Sequence, residues 1–171
     1  LADISSMVLN GQLNLGNRFA GSDVDVDLKV SDLEQLGQLF GEPGLPAQPI
    51  ALSATLKPNG KGLEFELLDG NLGDIQLEMK GDIADLDRPL ALDAEFDVVL
   101  PSIRFLDFTA PDIDFPDIPF SASGRLHNEQ TLTRLSDVQA QLGRLRTTIN
   151  GDLGHDDSYN LVISARGDDA S

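Results

Sequence analysis

Residues 23–30 read Asp-Val-Asp-Val-Asp-Leu-Lys-Val. Apolar side chains fall on every second position, Val24, Val26, Leu28 and Val30, with Asp23, Asp25, Asp27 and Lys29 between them. Successive residues of a strand point to opposite faces, so this stretch predicts a half-buried strand with one apolar and one charged face. The period of two continues outward. Ile50, Leu52, Ala54 and Leu56 alternate with smaller or polar residues, and Leu63, Phe65 and Leu67 alternate with Glu64 and Glu66. Ile75, Leu77 and Met79 alternate with Gln76, Glu78 and Lys80, and Leu90, Leu92, Ala94, Phe96 and Val98 continue the pattern. Turn-forming text separates the runs, at Pro58-Asn59-Gly60, Asp69-Gly70, 85–89 and 154–158. One stretch departs from this period. Ser31 followed by Glu34 reads as a capping box, and Leu33, Leu36 and Phe40 then share one helical face before Gly41, which predicts a short helix over about 32–40.

A second signal is an internal repeat. Gly11, Gly81 and Gly151 stand 70 residues apart, and Leu72-Gly73 with Lys80-Gly81-Asp82 returns as Leu142-Gly143 with Asn150-Gly151-Asp152. Pro46 and Pro49, with Ser53 and Leu56 after them, return as Pro116, Pro119, Ser123 and Leu126. The units are read as 1–70, 71–140 and a partial 141–171, with a one-residue loop shift expected between 57 and 70, where the match weakens. The second unit replaces the helix text with a Pro-rich stretch, 101–120, expected to run extended along a sheet edge. The fold class that follows is mainly β: antiparallel meander units of about 70 residues, ten to twelve strands, one short helix and one Pro-rich crossover.

The chain has 171 residues and a formal charge of −17, with 22 Asp, 7 Glu and only 12 Lys and Arg. That balance excludes a nucleic-acid footprint and a polybasic membrane-surface module. The absence of Cys excludes disulfide scaffolds, thiolate metal sites and cysteine nucleophiles. No apolar run approaches the length of a membrane-spanning helix, and both ends read as strand text, as in a piece of a longer body. Forty per cent hydrophobic residues suffice for a folded domain.

Reactive chemistry is sparse. His127 and His155 read as solvated loop residues, and no nucleophile elbow, phosphate loop or zinc helix is present. The acid rows Asp23, Asp25, Asp27 and Asp112, Asp114, Asp117 read as solvated carboxylates, with Ca²⁺ binding as the sharper alternative. No catalytic residue, metal ligand or cofactor is expected.

The stretch 27–41, followed by Leu45-Pro-Ala-Gln-Pro49, resembles the AsmA-like family of Gram-negative envelope proteins, as do Leu72-Gly73 with 80–82 and their copy at 142–143 and 150–152. The resemblance runs over nearly the whole chain and is closest in the first unit; the second departs where Pro replaces the helix text. It implies a curved, groove-bearing β body in the periplasm, similar to bridge-like lipid transfer proteins. It further implies an inner-membrane anchor outside this segment and a part in moving phospholipid for outer-membrane biogenesis. Envelope protein partners are left unnamed by it.

Two arrangements satisfy strands with one apolar face and no long helix to cover it. Either two sheets close into an acidic sandwich, an interaction module with a dry core, or one curved sheet keeps an apolar trough. For the trough, acyl chains of phospholipid would lie on Val24, Val26, Leu28, Ile50, Leu52, Leu63, Phe65, Leu67, Ile75, Leu77, Leu90, Leu92 and Phe96.

Overall fold

The computed structural model describes residues 6–12, 14, 20–34, 47–86, 91–108, 114–129, 131–154 and 158–167. These form one antiparallel sheet of ten strands whose spatial order is the chain order. The strands are β1 (Ser6–Gln12), β2 (Asp23–Val30), β3 (Ile50–Asn59), β4 (Gly62–Leu72), β5 (Ile75–Ile83), β6 (Leu92–Leu100), β7 (Phe120–Asn128), β8 (Leu132–Leu142), β9 (Leu145–Gly154) and β10 (Tyr159–Gly167). Each pairs only with its chain neighbours, so β1 and β10 are edges and no second sheet is present among the described residues.

The register explains why alternation sufficed to define the strands. Leu9 pairs with Val26, Val26 with Ala54, and Ala54 with Leu68. Leu68 pairs with Met79, Met79 with Phe96, and Phe96 with Gly124. Apolar therefore stands opposite apolar across the sheet, with Gly124 opposite Phe96. The opposite face carries Asp25 against Thr55, Glu78 against Asp97, and Glu95 against Arg125.

The repeat is a four-strand unit. β2–β5 and β6–β9 correspond, and a division at 70 and 140 cuts through β4 and β8. Backbone bonds recur at the same offset. The Leu33 N–H donates to the Gln48 carbonyl at 2.9 Å and the Ile103 N–H to the Ile118 carbonyl at 2.8 Å; Gly73 donates to Pro49 at 2.8 Å and Gly143 to Pro119 at 2.9 Å. The offset holds through 57–70 with no loop shift. The match there is weak in residue type only, because a register irregularity sits between Phe65 and Leu68 and recurs between Leu135 and Val138.

The connection from β6 to β7 corrects a second expectation. Where described, its start matches that of the first unit: Ile103–Phe108 is a 3-10 helix at the place where Leu33 and Glu34 begin a helical turn. The Arg104 N–H is held by Ser102 Oγ at 3.2 Å, as the Glu34 N–H is held by Asp32 Oδ1 at 3.0 Å. Asp32, one position after Ser31, thus supplies the oxygen to the Glu34 N–H. The rest of the expected helix, 35–40, and residues 109–113 of the Pro-rich stretch lie outside the described residues; 114–119 are neither helix nor strand.

The glycines spaced by 70 have a steric cause. A Cβ on Gly81 would stand 2.1 Å from the Asp93 carbonyl oxygen, and one on Gly151 would stand 2.0 Å from that of Asn160. These are backbone atoms of the next strand, which cannot swing aside. Gly143 differs: its φ of +58° asks for glycine, yet the space around it is open. We expect Gly81→Ala to cost about 2–3 kcal/mol and Gly143→Ala about 1 kcal/mol in urea unfolding. Equal losses would contradict the steric account.

Candidate functional site

Of the thirteen residues expected on the apolar face, ten are half-buried: Val24, Val26, Leu28, Ile50, Leu52, Leu63, Ile75, Leu77, Leu92 and Phe96. Phe65 is buried at 5% exposure, opposite Gly81. Leu90 lies outside the described residues. Leu67 stands at the irregularity in β4, and its side chain lies outside those described. Its backbone partner is Thr55 on the charged side, while Leu68 takes the place between Ala54 and Met79. An extra residue in one strand shifts every later side chain by one, and the text 63–68 offers two leucines for one apolar slot.

The face extends beyond that set. Leu126, Leu135, Val138 and Ile149 continue it through β7–β9 by register. The 70-residue repeat is the signal that could have found them, since Leu126 and Val138 copy Leu56 and Leu68. Nine strand spacings of about 4.8 Å make the face about 43 Å across.

Three observations describe how closed this face is. Among the described residues the buried apolar set is small: Val30, Ala54, Phe65, Ala94, Leu100, Ala122 and Val138. Val30 and Leu100 end the strands that lead into the two long connections. The chain exposes 11406 Å² of surface, against about 8200 Å² for a compact protein of this mass. Exposure also rises towards the edges, to 58% at Leu9 and 59% at Ile163, where a neighbouring strand is missing on one side. Among the described residues these are the properties of a single-layer sheet with no second layer on its apolar side.

The charged face holds a feature that the sequence reading missed. A cleft of about 760 Å³ opens between β4, β5 and β6, lined by Glu64, Glu66, Lys80, Asp82, Asp93, Glu95 and Arg125 among others. Its ion pairs centre on Glu95, and acids outnumber the lining cations five to two. Lys80 Nζ lies 2.6 Å from Glu95 Oε2, Arg125 bonds the other oxygen of Glu95, and Lys57 bonds Glu66. The bond from Lys80, reinforced by that from Arg125, holds the Glu95 carboxyl below its ordinary range, and the bond to Glu66 raises Lys57.

His127 is corrected from loop to strand. It sits in β7 with Nδ1 3.4 Å from Asp93 and Nε2 3.2 Å from Glu129. His155 and Asp112 lie outside the described residues. Asp25 and Asp27 accept hydroxyl bonds from Thr55 at 2.8 Å and Ser53 at 2.6 Å. Among the described residues no three His, Asp or Glu side chains gather at metal-binding range. No helix there is long and apolar enough to cross a membrane.

Comparison with family models, with curated proteins and with solved structures returns no match.

The Glu95 cluster gives a pH test. A carboxyl whose folded pKa is lowered contributes stability that is present above its unfolded pKa and is lost as pH falls through the folded one. The stability gap between wild type and Glu95→Gln should therefore be open at about pH 7 and narrow as pH falls through the ordinary carboxylate range to about pH 3. A gap unchanged between those two pH values in urea titrations would contradict the ion-pair geometry.

Proposed function

We propose that this chain is a non-enzymatic lipid-handling segment whose apolar face carries the acyl chains of phospholipid. The observation that carries the reading is the continuity of that face. It runs apolar row against apolar row across ten strands and is uncovered among the described residues. An apolar area of this extent, left in water, is a binding surface in search of an apolar partner.

The chemistry of the face favours long, flexible hydrocarbon. The lining is mostly Val, Leu and Ile, without the ring platform a sugar needs, and among the described residues the one buried polar side chain, Ser22, already accepts a bond from the Asn14 N–H. Each CH₂ drawn out of water contributes about 0.8 kcal/mol, so about ten methylenes on the strip contribute about 8 kcal/mol. Association costs consume about 4 kcal/mol or more of that. The lipid is then held without being locked, and rows of similar depth let it slide. Headgroups stay in water at the border of the trough.

The sequence resemblance adds the setting: the periplasm of a Gram-negative bacterium, an inner-membrane anchor elsewhere in an AsmA-like protein, and transport of phospholipid towards the outer membrane. Membrane contact belongs to those other parts.

Purified protein extracted with organic solvent should yield phospholipid by mass spectrometry. Leu77→Asp with Phe96→Asp should lower the yield at least several-fold, while Thr148→Asp, placed by register on the charged side, should leave it unchanged. Protein that carries no lipid, or a yield equally indifferent to both changes, would overturn the proposal.

A further inference from the structure

The repeat of 70 lays the charged side of the second unit over that of the first, and the two copies differ in charge. In the first unit the ladder sets Ala51, Asn71 and Gln76 in one row and Ser53, Asp69 and Glu78 in the next. At the same offset the second unit has Ser121, Gln141 and Arg146, and then Ser123, Gln139 and Thr148. The places of two acids are taken by neutral donors, and that of one amide by a guanidinium. The turn beside them changes in the same sense, from Asp74 to Arg144. The pairing is the same in both units, so the copies differ in what this patch attracts.

The second-unit patch also keeps its donors free among the described residues. Its six residues border a hollow of about 290 Å³, close to the small end of ligand sites at about 300 Å³. In the first unit the Ser53 hydroxyl donates to Asp27 at 2.6 Å. Ser123 stands opposite Asp97 by the same register and makes no such bond. Of the six, only Gln141 has a side-chain hydrogen bond among the described residues, to the Gly143 carbonyl at 3.1 Å. The ion pairs there engage Lys57, Lys80, Arg125, His127 and Arg134, and neither Arg144 nor Arg146 is in one. Arg166 of β10 stands opposite Arg146 and is likewise outside those pairs. Two guanidiniums across one ladder repel each other and favour an anion between them.

We propose that this patch binds the phosphate group of a small soluble anion. Arg146 supplies the planar fork that takes two phosphate oxygens, and the hydroxyls of Ser121, Ser123 and Thr148 with the Gln139 amide supply further donors. An anion needs a local reversal of charge here, because the chain as a whole carries −17 and repels it. Asp97 of β6 does not cancel that reversal. It stands three strand spacings from β9, about 14 Å, which exceeds the Debye length of about 10 Å at 0.1 M salt. The patch is open to water, so binding falls as ionic strength rises. It lies on the side of the sheet opposite the acyl chains and binds independently of them.

The test is an NMR titration of isotope-labelled protein with inorganic phosphate, with ionic strength held constant by NaCl. We expect saturable shifts at the backbone amides of 121, 123, 139, 141, 146 and 148, and none at 51, 53, 69, 71, 76 and 78. Arg146→Gln should weaken the binding several-fold. Lys61→Gln, which removes the same charge at the opposite end of the strands, should leave it unchanged. Circular dichroism checks that both variants keep their strand content. Vesicles of phosphatidylglycerol separate a lipid headgroup from a free anion: sedimentation with them should be the same for wild type and Arg146→Gln. Shifts that never saturate, equal shifts in the two units, equal losses in the two variants, or vesicle binding that depends on Arg146 would each refute the assignment.

Discussion

Every strand of this sheet is held in the same phase as its neighbours, and the two faces exist only because that phase survives ten strands. Backbone pairing sets which residues stand opposite, and a slip of one residue would carry an entire apolar row to the charged side. The ladder registers Val26 with Ala54, Met79 with Phe96 and Val98 with Ala122, so the phase is kept. Where it would be lost, between Phe65 and Leu68, an irregularity restores it, and the same device recurs between Leu135 and Val138. Glycine at 81 and 151 lets the next backbone come close on the same rows. The repeat of 70 is thus a repeat of phase-keeping devices as much as of residues.

This constraint separates what was legible in the sequence from what was not. Alternation is a local signal, so β2, β5 and β6 could be read directly from their side chains. The mainly β class and the antiparallel meander follow from those strands and the short turns between them. The irregularity at 66–67 is not local: only pairing with β3 and β5 decides whether Leu67 or Leu68 joins the apolar row. His127 looked like a loop residue because polar neighbours surround it, but the charged face of an exposed strand has the same composition. The Pro-rich connection misled for a related reason. Prolines at 111, 116 and 119 follow the segment that forms the 3-10 helix, and Ser102 begins that segment as Asp32 begins its counterpart. Of the site, the apolar rows of the first unit were visible; their continuation through β7–β9 needed the repeat to be carried forward.

A single-layer sheet is an expensive way to fold a chain of this size. It buries few side chains completely, so its stability rests on cross-strand pairs and ladder bonds rather than on a filled core. Hydrocarbon on the apolar face would supply part of the missing burial, which links the proposed cargo to stability by mass action. Among the described residues the strand aspartates lie on the other face, where Asp27 and Asp25 take hydroxyl bonds from Ser53 and Thr55. Acid on one side and aliphatic carbon on the other keep the strands from exchanging faces.

The central claim is that one face is apolar and open, and it can be measured strand by strand. Cysteines placed singly at 75–80 along β5 and spin-labelled would report access to a water-soluble paramagnetic relaxer, with and without phospholipid. The account predicts that labels at 75, 77 and 79 are accessible in lipid-free protein and become protected on loading, while those at 76, 78 and 80 stay accessible throughout. Labels at 75, 77 and 79 that are shielded before any lipid is added, or that lipid leaves unprotected, would contradict it.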